Sequence, residues 1–313
     1  MKYGILPIII LCLSSCKSDR AVDHPTLSQE QTEEINIAAV SLFGKDLIAP
    51  EPSEKLKQQY ADRRSDYLQD TTNINKLIWY ARFEAYLVNY NEAIEILSKG
   101  IERFPNDPRL YRHRGHRYIS VRNFDAAIDD LEKAAELIEG TENQIEPDGM
   151  PNAKNTPVST LHGNIWYHLG LAYYLKNDME NAFTGFKNCL DSGTNDDNIV
   201  SSTHWLYMIL RRLDKEEEAN RYLEAIKEEM DIIENFAYHD ICLFYKSDKT
   251  LTDLGVNTSQ GSSNDAIAYA VANWHVYNDD LLTAKPLYDK LLSKPSWNSF
   301  GYIAAEADFV RIF

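Results

Sequence analysis

Between Arg109 and Asn123 the chain reads RLYRHRGHRYISVRN, five arginines and two histidines without one acid. Guanidinium groups meet carboxylates through paired N–H donors and stack on aromatic faces, so this stretch could capture an acidic, partly aromatic ligand. Imidazoles could instead bind metal or move protons. His113 and His116 are three residues apart, and His162, His168, His204, His239 and His275 are spread downstream. A zinc site would need further converging ligands, and the sequence contains no HExxH, paired CxxC, glycine-rich phosphate loop or GxSxG. A non-catalytic binding protein is therefore expected, with no metal and no cofactor. The rival from another class is a histidine-dependent enzyme that uses the loop Glu146 to Pro157 as part of its site.

The formal net charge is -16. An acidic total repels nucleic acid and anionic surfaces, so neither is an expected partner, but it does not describe the field inside one cleft. Gathering positive charge in such a chain requires elements that place it on one face.

The chain opens MKYGILPIIILCLSSCKSDR, with Lys2 ahead of an apolar run from Ile5 to Leu13. That run is too short to cross a hydrocarbon layer of about 30 Å as a helix, so a cleaved signal segment is expected. Leu13-Ser14-Ser15-Cys16 resembles the bacterial lipobox. The resemblance implies cleavage before Cys16, lipidation there, and a membrane association made through acyl chains only. The other reading is an ordinary secretory signal with Cys16 incidental. Lys17 stands where inner-membrane retention in enteric bacteria uses aspartate, which points to the outer membrane, facing the periplasm or the cell surface. Of the remaining cysteines, Cys12 leaves with the signal, and Cys189 and Cys242 lie in apolar helical contexts that need no disulfide.

Self-similarity organises the rest. In GNIWYHLGLAYYLKNDMENAFTGFKNCL, Gly163 to Leu190, the residues Trp166, Leu169, Gly170, Tyr173, Ala182 and Phe186 recur at helical spacing. Tyr111, Gly115, Tyr118, Ala127, Leu131 and Ala134 follow the same pattern upstream, as do Ala93, Leu97, Gly100 and Pro105, with Ala93 and Ala127 separated by 34 positions. This pattern resembles the tetratricopeptide repeat, a helix-turn-helix unit of about 34 residues whose neighbours share one core. Small residues such as Gly115, Gly170 and Ala127 would allow the paired helices to approach. Weaker copies run Thr203 to Ile226 and Ala268 to Leu292, with Pro286 tolerated in the first turn of a helix. Departures from the pattern are Glu84 where Tyr is usual, Arg114 where Leu is usual, and Cys189 at a small-residue position.

The resemblance implies an all-α, right-handed superhelical solenoid of antiparallel helix pairs, with about five units plus capping helices. The expected domains are a signal peptide at 1–15, a lipidated tether at 16–27, N-terminal capping helices at 28–72 and repeat units 1 and 2 at 73–139. A Pro/Gly-rich insert at 140–160 follows, then units 3 and 4 at 161–231, and a degenerate unit with a C-terminal capping helix at 232–313. The capping helices are expected over Ser28 to Phe43 and Ser53 to Leu68, with a further helix over Asp231 to Tyr245 and a last one near Asn298 to Ile312. The insert is either a functional loop ordered against the groove or a surface insertion.

In such repeats the first helix of each unit lines the concave groove. Carried over residue by residue, the resemblance implies a groove made by Arg82 and Tyr86, then Arg109, Arg112 and His116, then Asn164, Tyr167 and Tyr174, then His204, Arg211 and Arg212. Arg114 and Arg117 fall at packing positions, where Glu84, Asp129 or Asp130 could pair with them. The expected function is a lipid-anchored protein-interaction scaffold that binds an acidic protein or peptide segment in a basic, tyrosine-bordered groove. A glycan-handling accessory is the alternative, because aromatic rings in a groove also stack on sugars.

Overall fold

The computed structural model describes residues 36–147, 151–256, 262 and 264–313. The lipobox, with Cys16, lies outside the described residues. A hairpin of β1 (Ile37–Val40) and β2 (Asp46–Ile48) leads into α1 (Glu54–Gln69), after which helices pair in sequence order. The pairs are α2 (Ile74–Tyr86) with α3 (Tyr90–Arg103), α4 (Pro108–Ser120) with α5 (Phe124–Leu137), and α6 (Leu161–Leu175) with α7 (Met179–Ser192). They continue with α8 (Asp196–Arg212) and α9 (Glu216–Leu223), then α10 (Phe236–Tyr245), then α11 (Asp265–Val276) with α12 (Leu281–Leu292), and end at α13 (Phe300–Ile312). Adjacent helices pack on one another along the array, so the fold is a solenoid of antiparallel helix pairs.

Local chemistry sets these boundaries. First helices start on side-chain caps, Asn73, Asp107, Thr160, Asn195 and Asn264, each accepting from a backbone N–H of its first turn. Each turn that follows a first helix holds one residue in the left-handed region: Val88, Arg122, Asn177, Asp214, Ser247 and Asp279. Ser247 marks α10 as a sixth first helix, and the described residues 248–256 after it form turns. The stretch Asp231 to Asn235, expected to be helical, is held open instead. The Asp197 carboxylate accepts the N–H groups of Ile233, Glu234 and Asn235, and α10 begins only at Phe236.

Of the two expected N-terminal helices, Ser53 to Leu68 forms as α1, capped by Ser53. Residues 36–43 of the other form strand and turn, which corrects the expectation over Ser28 to Phe43 as far as the described residues reach. The physical reason is distant packing: Ala38, Ala39 and Leu47 bury against Tyr90, Trp297 and Tyr302, and the Trp297 indole donates to the Ile48 carbonyl at 3.1 Å. Gly44, at φ 75°, closes the turn.

The last helix is more than an end cap. Arg122, at the α4–α5 turn, makes a buried ion pair with Glu306 of α13 at 2.8 Å and donates to the Trp297 carbonyl. Arg311 donates to the Leu175 carbonyl at the end of α6, and Phe300 lies against His116 and His168. Thus α13 docks on the first helices of the second and third units and occupies part of the face that an open array would leave free. Cys189 and Cys242 are separate buried thiols, and burial raises the Cys189 thiol to about 11.

Candidate functional site on the inner helix face

Asp107 caps α4 and Pro108 supplies its first residue, which fixes where Arg112, His113, His116 and Arg117 project. With Arg82 and Tyr86 from α2 they line a cavity of about 140 Å³. Arg82 stacks over Trp79 at 4.3 Å and donates to the Tyr86 hydroxyl at 3.3 Å. Arg112 is buried and donates to His113 Nδ1 at 2.9 Å, which leaves the His113 proton on Nε2. Burial, reinforced by Arg112, drives the His113 pKa far below its usual value, and burial with Arg117 does the same to His116. Both rings are therefore neutral near pH 7.

The insert between α5 and α6 enters this site. A bridge between Ile145 and Thr160, with Glu146 N–H donating to Ser159 and Leu161 N–H to Gln144, pins its two ends together. Glu146 is thereby buried, with its carboxylate 3.2 Å from Arg112 Nε and 3.4 Å from His113 Nε2. Asn164 Nδ2 donates to the same carboxylate at 2.9 Å, and Arg82 donates to the Pro147 carbonyl at 3.0 Å. An acidic residue in an extended segment already sits against the arginines. The far arm of the insert is tied down by Asn152 to Glu234 and by Asn195 to the Val158 carbonyl.

A second pocket, about 290 Å³, opens between α6, α8 and α10 beside Phe300. Asn164, Tyr167, His168, Asn195, Asn198 and Tyr238 line it. Tyr167 bridges Tyr238 and the Trp205 indole. His168 Nδ1 donates to the Asn164 carbonyl, and the buried Nε2 lone pair has no partner among the described residues. The two sites adjoin through the His116–His168 ring pair, 4.3 Å between centroids.

The pair α6–α7 that carries Asn164 and Tyr167 is held by unusually close packing. A methyl on Gly185 would lie 2.6 Å from the Gly170 Cα, and one on Gly170 would lie 2.8 Å from Phe186. Residues 163–192 match the tetratricopeptide repeat family. This segment is a tetratricopeptide repeat. Among solved structures, MamA is 15% identical, with 62% of this chain and 92% of that chain covered at a TM-score of 0.43. YrrB, described as a TPR protein with an unusual peptide-binding site, is 16% identical over 74% of this chain and 90% of that chain, TM-score 0.40. No curated protein matches the sequence.

Placed on the array of helix pairs, the expected groove residues divide. Arg82, Tyr86, Arg112, His116, Asn164 and Tyr167 meet at the two adjoining pockets. Arg109 stands apart, paired with Asp107 at 2.6 Å and donating to Asn75. The cap residue of its own helix supplies the acid. Tyr174 and His204 are interior: Tyr174 bonds Tyr269 at 2.6 Å, and His204 packs between Tyr238 and Tyr245. Arg212 is spent on the buried carboxylate of Asp308 and on Asn273, because α13 and α11 cover it. Tyr174 and His204 are corrected from groove to core, and Arg212, mostly covered, keeps only an edge on a surface hollow away from the two pockets. Arg211 lines a separate shallow hollow, stacked on Tyr277 at 4.8 Å.

Arg114 packs as expected, gripping Asp130 through two 2.7 Å bonds, while Glu84 is engaged by Tyr60 and Asn89. Arg117, given the same packing role by its register, lines the cavity instead. Glu146 and His168 are further site residues that repeat register does not single out. The three prolines and two glycines of 140–160 were the only sequence signal for the former.

Proposed function

We propose that this chain is a bacterial lipoprotein that serves as a protein-interaction scaffold, holding an acidic segment of its partner against the inner face of α2, α4 and α6. The observation that supports this reading is Glu146: an acid in an extended segment fits between Arg112, His113 and Asn164, its charge facing Arg112 and one oxygen accepting from Asn164, while Glu146 Oε1 and Arg112 Nε lack hydrogen-bond partners among the described residues. An acidic exterior around this basic site would favour specificity and encounter rate over raw affinity. Tetratricopeptide arrays commonly bind proteins, and site chemistry, not fold, selects the partner. Capture from cell-envelope extracts tests the reading: an acidic partner should be retained at low salt and released at high salt, and salt-insensitive capture would contradict it.

Anchoring is proposed through lipid on Cys16, in the outer membrane. Cys16→Ser is expected to convert a membrane-fraction protein into one that is neither acylated nor cleaved at that position. Mass spectrometry recovering the same acylated peptide from the variant would refute the anchor. The glycan reading draws support from the second pocket, where Tyr167, Tyr238 and the free His168 nitrogen meet asparagines. Binding to a glycan array, abolished by Tyr238→Ala, would favour it.

A further inference from the structure

Three guanidinium groups face the cavity between α2 and α4, and the described residues supply one carboxylate against them. Arg82, Arg112 and Arg117 carry three positive charges, and Glu146 offsets one on the side facing the insert. Arg117 is the uncompensated group: its guanidinium stacks over Tyr90 at 5.3 Å and has neither a hydrogen bond nor an acidic partner among the described residues. Burial, opposed by Tyr90 and reinforced by Arg112, pushes it down to about 10, still charged near neutrality. His116 also lines the cavity, with ring contacts only.

From this geometry we infer that the cavity is a binding site for a compact dianion, a phosphate or phosphate monoester. Among the described residues the residual charge is two positive, and a phosphate monoester carries roughly -1.5 to -2 near pH 7. A single carboxylate would leave a buried cation unmatched. The volume, about 140 Å³, suits one tetrahedral oxyanion and leaves no room for a nucleotide base. Donors converge from two helices, Arg82 and Tyr86 on α2 and Arg112, His116 and Arg117 on α4, so several oxygens can be met at once. Among the described residues no carboxylate lines the cavity wall to oppose an anion. This site lies behind Glu146, so an acidic segment and the dianion could be held together.

The inference rests on reading the inner face as a binding surface, and its test is separate from partner capture. Inorganic phosphate is titrated calorimetrically into the full chain at fixed ionic strength, with acetate as the monoanion control and O-phosphoserine as the monoester arm. Saturable phosphate binding is expected, with acetate at least tenfold weaker. Binding of O-phosphoserine as well assigns a monoester, and its exclusion assigns free phosphate. Arg117→Met should weaken phosphate at least tenfold and leave the melting temperature unchanged or higher, because no bonded partner is lost. Absence of saturable binding, equal binding of acetate, or wild-type affinity in Arg117→Met overturns the site. A variant that fails to fold also overturns it, by making Arg117 a structural group. Phosphate binding without salt-sensitive partner capture would fail only the scaffold reading.

Discussion

Asp308 shows how a charge can be both deeply buried and settled. Burial alone would raise its carboxyl pKa, but Arg212 and Arg311 hold it below the ordinary aspartate value, helped by a bond from Tyr269. A carboxylate depressed in this way adds stability that is complete above its unfolded value of about 4 and is lost as pH falls through the folded value. Asp308→Asn should therefore lower stability at pH 7 by about 3–5 kcal/mol, since Arg212 is left buried without its acid. The difference from wild type, followed by denaturant melts, should shrink below pH 4. Sequence reading could not see this pair, because Arg212 and Asp308 lie far apart in the chain. Arg114 was legible, its partner being on the companion helix, whereas Arg117 was not: register gave it a packing role, and only the placed helices show the cavity at its tip.

Elements built from local spacing were the legible ones. Alternation of small and aromatic residues fixed the helix pairs from α2 to α7, and Gly170 was recognised as a close-approach position. Its counterpart Gly185 was not, although the two backbones meet there. Gly185→Ala must push α6 and α7 apart and should cost about 1–3 kcal/mol, seen as a lower melting temperature with secondary structure retained. An unchanged melting curve would mean that the pair relaxes freely. The hairpin and the docking of α13 escaped sequence reading for one reason. Both depend on contacts across most of the chain, such as the Leu42 N–H donating to Glu306 at 2.7 Å, which no periodicity encodes.

Across the whole molecule, histidines are buried by elements distant in the chain: Phe300 of α13 lies against His116 and His168 where the two pockets adjoin, the insert covers His113, and α10 covers His204. Burial pushes His204 down to about 3, and His113, His116 and His168 are likewise held well below their usual range by burial. A histidine depressed in the fold binds its proton only after unfolding, so stability is complete above about pH 6.5 and declines as pH falls below it. His204 alone should remove up to about 2 kcal/mol by pH 5. Denaturant midpoints at pH 7.5 and pH 5 should show this loss, and equal midpoints would mean that these rings are protonated in the fold.

The interaction surface itself is probed by competition with its own insert. A synthetic peptide with the sequence of residues 142–147, ENQIEP, is titrated into the wild-type chain, into Glu146→Gln, and into Glu146→Gln combined with Arg112→Gln. If the inner face recognises an acidic segment, removing the resident charge frees Arg112 and His113. Charge-assisted bonds of about 1.5–3 kcal/mol then translate into at least tenfold tighter binding to Glu146→Gln, abolished by the second substitution. Equal affinity for all three chains, or no binding to Glu146→Gln, would contradict recognition of an acidic segment at this face.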